Sequence, residues 1–386
     1  MYPNLYYLIK DLLGIELNAL KLVNSFGFFV AMAFVASGYV LFFELKRKSA
    51  LGEFSYTEEK EIIGAPATTG ELLSAGLFGF IFGYKLLGAF IIAEALNNPQ
   101  AFILSLQGSM GAGILVAAIM VYLKWKEKDK VKLTKPETRT VQVWPQDRVG
   151  DIVLKAALWG FLGAKIFHNL ENLEEFSRDP IGSLISFSGL TFFGGLILAT
   201  IGIVYYLKKQ KISVIHFADA MAPTMLFAYA AGRIGCHISG DGDWGIVNSA
   251  PNPFAWLPDW MWSYQYPHNV VNAGVPIPGC VGNYCNQLPE AVYPTTFYEI
   301  IIMFILFLIV WMVRKKITQP GIITGIYFIF AGGERFFVEK IRVNNKYTFL
   351  PFQPTQAELI SVILIILGIV FLVKSKSWFP KNIQKS

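Results

Sequence analysis

Charge is scarce in this sequence. Asp, Glu, Lys and Arg make up 16% of the 386 residues, against 54% apolar residues. Ordinary soluble domains carry about a quarter charged residues, so the composition excludes one and points to a polytopic membrane protein. Histidine is rarer still. The four histidines, His168, His216, His237 and His268, show no metal-ligand spacing. Cys236 and His237 stand close to Asp241 and Asp243, but the arrangement fits no standard zinc site, and no metal is expected. Phosphate-cradling Gly-Lys loops, dinucleotide fingerprints and heptad runs are absent, which removes the common nucleotide-binding and coiled-coil classes. The start of the chain lacks a short apolar core followed by a small-residue cleavage site. The first long apolar run (24–44) therefore reads as a retained helix rather than a signal peptide.

What is present is a series of apolar runs of about twenty residues, each enough to cross a bilayer. They predict an all-α polytopic membrane protein with about nine transmembrane helices, at 24–44, 72–96, 101–123, 152–170, 190–207, 217–236, 296–313, 320–339 and 358–373. With the N-terminus outside and the C-terminus inside, the inside loops hold 22 of the 33 Lys and Arg residues and the outside segments hold 6. That asymmetry is the positive-inside bias. It also accounts for the net charge of +6 without nucleic acid.

The outside loop 237–295 contains no Lys or Arg but is rich in Trp, Tyr and Pro. Its aromatics suit a headgroup layer or the core of a small folded cap. An oxidising outer compartment would permit a disulfide between Cys280 and Cys285. Cys236 reads as a buried small residue.

Residues 46–125 resemble residues 126–208. Gly79, Gly83 and Lys85 match Gly160, Gly163 and Lys165. Pro99 precedes Gly108 by the same spacing as Pro180 precedes Gly189. Each copy reads as a basic linker plus a helix pair, so the expectation is a duplicated helical hairpin. Lys85 and Lys165 are placed to snorkel, to pair with an acid such as Glu94, or to meet lipid phosphate. The chain then divides into an N-terminal segment with the first helix (1–45), repeat copy one (46–125), repeat copy two (126–208), a membrane core that includes the outside loop (209–373) and a basic cytoplasmic tail (374–386).

The densest polar signal is 232–245, GRIGCHISGDGDWG. Arg233 ends an apolar stretch, where an arginine at helix centre costs about 2.5–3.5 kcal/mol on insertion scales. An anionic phosphate at the membrane boundary would compensate for it; so would snorkelling to water. A second signal, GGERFFVEKIR, puts Arg335, Glu339 and Arg342 at i, i+4 and i+7, on one helical face, with Glu334 off that face. A third, YPTTFYE (293–299), carries Tyr298 and Glu299 at a helix start. Asp219 lies near the inner start of the sixth span.

Together these residues resemble the bacterial phosphatidylglycerol–prolipoprotein diacylglyceryl transferase family. Gly232-Arg233-Ile234-Gly235, Gly240 and Gly245 match its signature, with Asp241 or Asp243 in place of a glutamate. Arg335, Glu339 and Arg342 match a second motif. Pro294, Tyr298 and Glu299 match a third, and Thr191-Phe192-Phe193-Gly194-Gly195 is similar to a Ser-Phe-His-Gly-Gly stretch. The family histidine is Phe193 here, two family asparagines are Cys236 and Ser239, and the helix pair 72–123 is extra to the family plan.

The resemblance implies transfer of a diacylglyceryl group from phosphatidylglycerol to the lipobox cysteine of a prolipoprotein, at the outer face of the bacterial inner membrane. It makes 209–373 the catalytic core. Arg233 and Arg335 form the expected phosphate clamp, Arg342 lies at lipid entry, and Glu339 orients the arginines. The thiol base is open among Asp241, Asp243, His237 and Glu339. Substrate contacts are expected from Ser239, Gly240, Tyr298 and Glu299, with Gly194 and Gly195 lining acyl clefts. No cofactor is implied. The competing readings are a transporter of a small anion and a non-catalytic relative that only binds membrane lipid.

Overall fold

The fold is that of a computed structural model, in which residues 1–92, 102–103, 105–185, 191–344, 347 and 353–380 are described. Ten helices carry the fold: α1 (Leu5–Leu13), α2 (Ser25–Ala50), α3 (Thr69–Ile91), α4 (Met110–Lys130), α5 (Val149–Glu171), α6 (Phe192–Lys209), α7 (Val214–Ser239), α8 (Thr295–Val313), α9 (Ile322–Val338) and α10 (Gln356–Trp378). Among the described residues, six of them (α2, α3, α6, α7, α8 and α10) are long and apolar enough to cross a membrane. The other three expected spans are also helical but fall short of that measure. At α9 the helix has 17 residues; α4 ends in the charged run KWKEKDK; α5 is diluted by Lys155, Lys165, His168 and Asn169.

The chain forms two compact units. One comprises residues 17–22 and 55–211, and so holds nearly all of both repeat copies. In this unit α3 packs on α4 and α5 packs on α6. Matching glycines make both contacts: a Cβ on Gly83 would sit 2.4 Å from the Ala112 carbonyl oxygen, and one on Gly163 would sit 2.3 Å from that of Gly194. Small residues that let backbones approach are the usual way helices associate in lipid. The two linkers supply β1 (Thr57–Ile63) and β2 (Glu137–Val143), which pair antiparallel with Glu61 opposite Arg139. This small sheet departs from the all-α expectation. Both strands are polar on both faces, so no apolar alternation marks them. The Lys85 ammonium is spent on the carbonyls of Phe102 (3.0 Å), Ser105 and Gln107 (2.7 Å). Its expected partner Glu94 lies outside the described residues.

The other unit comprises 1–16, 23–54 and 212–386. Helix α7 is its spine and packs on α2, α8 and α9. Ala222, Leu226 and Ala230 form a continuous core with Met303, Phe307, Val310 and Ile323. At one end, the buried Glu44 of α2 takes Arg47 (3.0 Å) and Arg314 (2.7 Å). Near the same end of the core, buried Asp219 of α7 accepts hydrogen bonds from the Gly321 N–H (2.7 Å), the Thr324 N–H (2.9 Å) and the Thr324 hydroxyl (2.7 Å). It thereby caps α9, a neighbouring helix, rather than its own. Asp219→Ala would orphan buried donors and is expected to cost about 2–3 kcal/mol. Thermal unfolding in detergent would read this; an unchanged melting temperature would remove the cap.

The loop between α7 and α8 is a folded cap. Tyr266, Leu288 and Val292 form its core, flanked by Trp244, Tyr264 and Ala273. Two short strands, β3 (Val275–Pro276) and β4 (Asn286–Gln287), pair within it, and a disulfide joins Cys280 to Cys285.

Candidate active site

Three arginines from separate segments meet at one carboxylate. Glu299, on the first turns of α8, is fully buried. Arg233, near the C-terminal end of α7, places Nε 2.7 Å from Glu299 Oε2. Arg335, on the last turn of α9, lies 3.4 Å from Oε1, and Arg342, just past α9, lies 3.3 Å from the same atom. The Tyr229 hydroxyl, one turn before Arg233, donates to Oε1 at 3.1 Å and accepts from Arg233 at 3.3 Å. Asp243 makes a second bridge, pairing with Arg233 and, at 2.7 Å, with Arg342. Glu339 takes Arg335 at 3.1 Å and an Asn344 amide at 2.6 Å. The three guanidinium groups are thus held by three acids, each carboxylate fixing the planar fork of at least one arginine.

The backbone makes this convergence possible at Gly245. Its N–H bonds the Tyr293 carbonyl at 2.9 Å, and the next N–H, of Ile246, bonds the Ile341 carbonyl at 2.9 Å. The strand after α7 is thereby threaded between the start of α8 and the segment after α9. A Cβ on Gly245 would sit 2.5 Å from the Ile341 oxygen. The Thr295 hydroxyl bonds the Asp243 carbonyl at 2.8 Å and completes the clasp. Gly245→Ala is expected to push the Arg342 segment away and to loosen the Asp243–Arg342 pair. Protease sensitivity near residue 342 would rise; an unchanged digestion pattern would contradict the clasp.

The placement of the sequence-predicted residues is uneven. Arg233, Arg335, Arg342, Asp243, Glu299 and Glu339 come together. The shared helical face expected for Arg335, Glu339 and Arg342 is correct only for the first two. Helix α9 ends at Val338, a 3₁₀ turn follows, and Arg342 is extended (φ −95°, ψ 154°), so it enters the cluster from a strand-like bridge opposite Gly245. His237 contacts the Thr296 hydroxyl at 3.1 Å and stacks among Trp260, Tyr266 and Phe297, in an aromatic pocket.

Ser239 is fully buried and donates to the Gly235 carbonyl at 2.8 Å. Gly240 ends α7 with φ +65°, a conformation that favours glycine. Both residues therefore terminate a helix, and neither offers a free group to a ligand. The Tyr298 hydroxyl donates to the Trp262 carbonyl at 3.3 Å. Gly194 and Gly195 are buried in the α5–α6 contact, where a Cβ on Gly194 would meet Phe167 at 2.3 Å and one on Gly195 the Gly160 oxygen at 2.9 Å. Their smallness is used up by helix packing rather than by an acyl cleft.

The two loop aspartates differ electrostatically. Burial pushes the Asp241 carboxyl above the usual range. Burial acts the same way on Asp243, but Arg233 and Arg342 outweigh it and hold that carboxyl below the usual range. Asp243 is therefore a positioning anion, ill suited to take a proton. Cys236, Asp241 and Asp243 bring ligand atoms within 4.8 Å of one another, yet Asp243 already has two guanidinium partners. Tyr229, which the sequence reading passed over, lies one turn from Arg233, a spacing that could have flagged it.

The family profile described as prolipoprotein diacylglyceryl transferase matches residues 108–374. The chain belongs to the prolipoprotein diacylglyceryl transferase family. The match takes in every member of the arginine cluster. It also includes α4, whereas α1, α2 and α3 precede it. Relatives named phosphatidylglycerol–prolipoprotein diacylglyceryl transferase include one from Leptospira interrogans, 28% identical over 52% of this chain and 63% of its own length. Others are from Chlorobaculum tepidum (25% identical; 69% and 85%) and Buchnera aphidicola (24% identical; 72% and 96%). The chain thus spans a little under two thirds of the Leptospira protein.

Proposed function

We propose that this protein moves the diacylglyceryl group of phosphatidylglycerol onto the cysteine thiol of a prolipoprotein lipobox, forming a thioether and releasing glycerol-1-phosphate. The observation that carries this reading is the convergence of Arg233, Arg335 and Arg342 on buried Glu299 at a single helix end. The chemistry needs stabilisation of a phosphate that gains charge as it leaves, and preorganised guanidinium groups supply it. The cluster's three acids balance its three arginines, so the phosphodiester is bound by the open sides of the guanidinium groups. Arg335 and Arg233 have the most open side chains of the three, 24% and 15% exposed against 8% for Arg342. Glu299, Asp243 and Glu339 act as positioning residues that aim those forks.

In the membrane, the reading places nine spans with the N-terminus outside and the arginine end facing out from a bacterial inner membrane. The lysine and arginine distribution supports that orientation. The glycine contacts shared by the α3–α4 and α5–α6 pairs support a duplicated hairpin. The displacement itself calls for no metal or organic cofactor.

Phe193 in place of the family histidine favours one second reading, a relative that binds lipid without turning it over. The deciding experiment incubates the protein with labelled phosphatidylglycerol and a lipobox peptide and follows peptide lipidation and glycerol-phosphate release. Complementation of a strain depleted of its own transferase is the cellular counterpart. Absence of both transfer and rescue would overturn the transferase reading in favour of lipid binding alone.

A further inference from the structure

An open groove of about 270 Å³ runs between α8 and α9, lined by Ile302, Leu306, Ile329, Phe330, Gly333, Glu334 and Phe337. Six of these seven residues are apolar or glycine. The exception, Glu334, has 6% of its surface exposed, and neither of its carboxylate oxygens has a hydrogen-bond partner among the described residues. A buried polar group without a partner is costly, and in a native site it calls for an explanation. Asp243, Glu299 and Glu339 each hold an arginine; Glu334 holds none, although its sequence neighbour Arg335 belongs to the cluster. Among the acids of this end, Asp241 also holds no arginine but accepts the Asp243 N–H at 3.3 Å, whereas Glu334 has no partner on either oxygen among the described residues.

We infer that Glu334 is the base that takes the proton of the acceptor thiol, an assignment that rests on the transferase reading above. A carboxylate clamped by guanidinium groups is a weak base, whereas one facing an apolar groove is a stronger one. On the groove's lining, Ile302 lies one turn beyond Glu299 on α8 and Glu334 directly precedes Arg335 on α9, which sets the groove beside the arginine cluster. In the step, the S–H proton passes to Glu334. The sulfur electron pair forms the C–S bond to the glyceryl carbon as the C–O bond to phosphate breaks. The electron pair of the broken C–O bond leaves on the phosphate oxygen of glycerol phosphate, between the arginines. The Glu334 carboxyl then returns its proton to the departing phosphate, which leaves as the monoanion. The assignment supplies a titratable group to a chain that carries Phe193 in place of the family histidine. The charges that act on Glu334 are Glu299 from α8, Arg233 from α7, and Arg335 and Arg342 from the end of α9 and beyond; on α10, Glu358 is tied to Lys340 at 2.5 Å.

The test uses the full chain in phosphatidylglycerol vesicles and two lipobox peptides, one with cysteine and one with selenocysteine, whose selenol ionises at neutral pH unaided. If the unaltered protein lipidates neither peptide, the transferase reading fails and this assignment fails with it. If it lipidates them, Glu334→Gln is expected to lose about 10²–10⁴-fold on the cysteine peptide at pH 7. It is expected to regain rate as the pH approaches the free thiol value of about 8.5, and to keep nearly full rate on the selenocysteine peptide. Equal losses on both peptides, or no loss on cysteine, would overturn the assignment and leave the transferase reading standing. Should Glu334→Gln not fold, the unaltered protein still decides. Its acidic rate limb is expected with the cysteine peptide and not with the selenocysteine peptide; the same limb with both overturns the proposal.

Discussion

Arg233→Ala is expected to cut diacylglyceryl transfer by about 10²–10³-fold or more. The side chain contacts Glu299, Asp243 and Tyr229 at once, so its loss removes a phosphate ligand and frees two acids that would then repel the substrate's phosphate. Arg233→Lys keeps the charge but not the fork that spans both carboxylates, and is expected to stay strongly impaired. The measurement is initial rate in the vesicle assay at saturating peptide, with binding of labelled phosphatidylglycerol followed separately. A full rate for Arg233→Ala would refute the clamp. So would a loss confined to lipid binding with the chemical step untouched, because the arginine is assigned to charge that develops as the bond breaks.

The second large effect is assigned to Glu299. Removing one partner of a buried ionic network costs about 3–5 kcal/mol, because the remaining charges are left uncompensated. In Glu299→Gln three guanidinium groups would face one another with only Asp243 and Glu339 to hold them. The variant is expected to melt at a lower temperature and to lose transfer. Pairing the change with Arg342→Gln removes one of the stranded charges. The double variant is expected to regain part of the stability without regaining transfer, a non-additivity that marks residues acting through one network. If Glu299→Gln melts and transfers like the unaltered protein, the carboxylate is not the hub of the site.

Parts of this site were legible in the sequence for a physical reason. An arginine at the end of an apolar stretch must be compensated whatever the fold, so Arg233 and Arg335 stood out at once. Glu299 was legible only as a substrate contact near a helix start; its hold on the arginines was not, because a carboxylate there has an ordinary local explanation. Its role depends on α7, α8 and the segment after α9 arriving at one point. Arg342 was placed on the right cluster by the wrong geometry, since helical spacing does not show where a helix stops. Gly194 and Gly195 were misleading for a related reason. A glycine pair on an apolar helix suits a lipid cleft and a tight helix crossing equally well, and only the position of Phe167 distinguishes them. The strands in the two linkers left no alternation to read.

The sequence by itself determined the solvent this chain is built for, the approximate positions of its helices and the arginines that need an anion. Each of these follows from transfer free energies that depend on residue type and near neighbours. The tertiary structure alone decided which acid holds the arginines, which carboxylate is left without one, and which glycines are spent on packing. Pairing energies fall off over a few ångströms, so they are set by how separate segments are threaded together, and that information is spread along the chain rather than written at any one position.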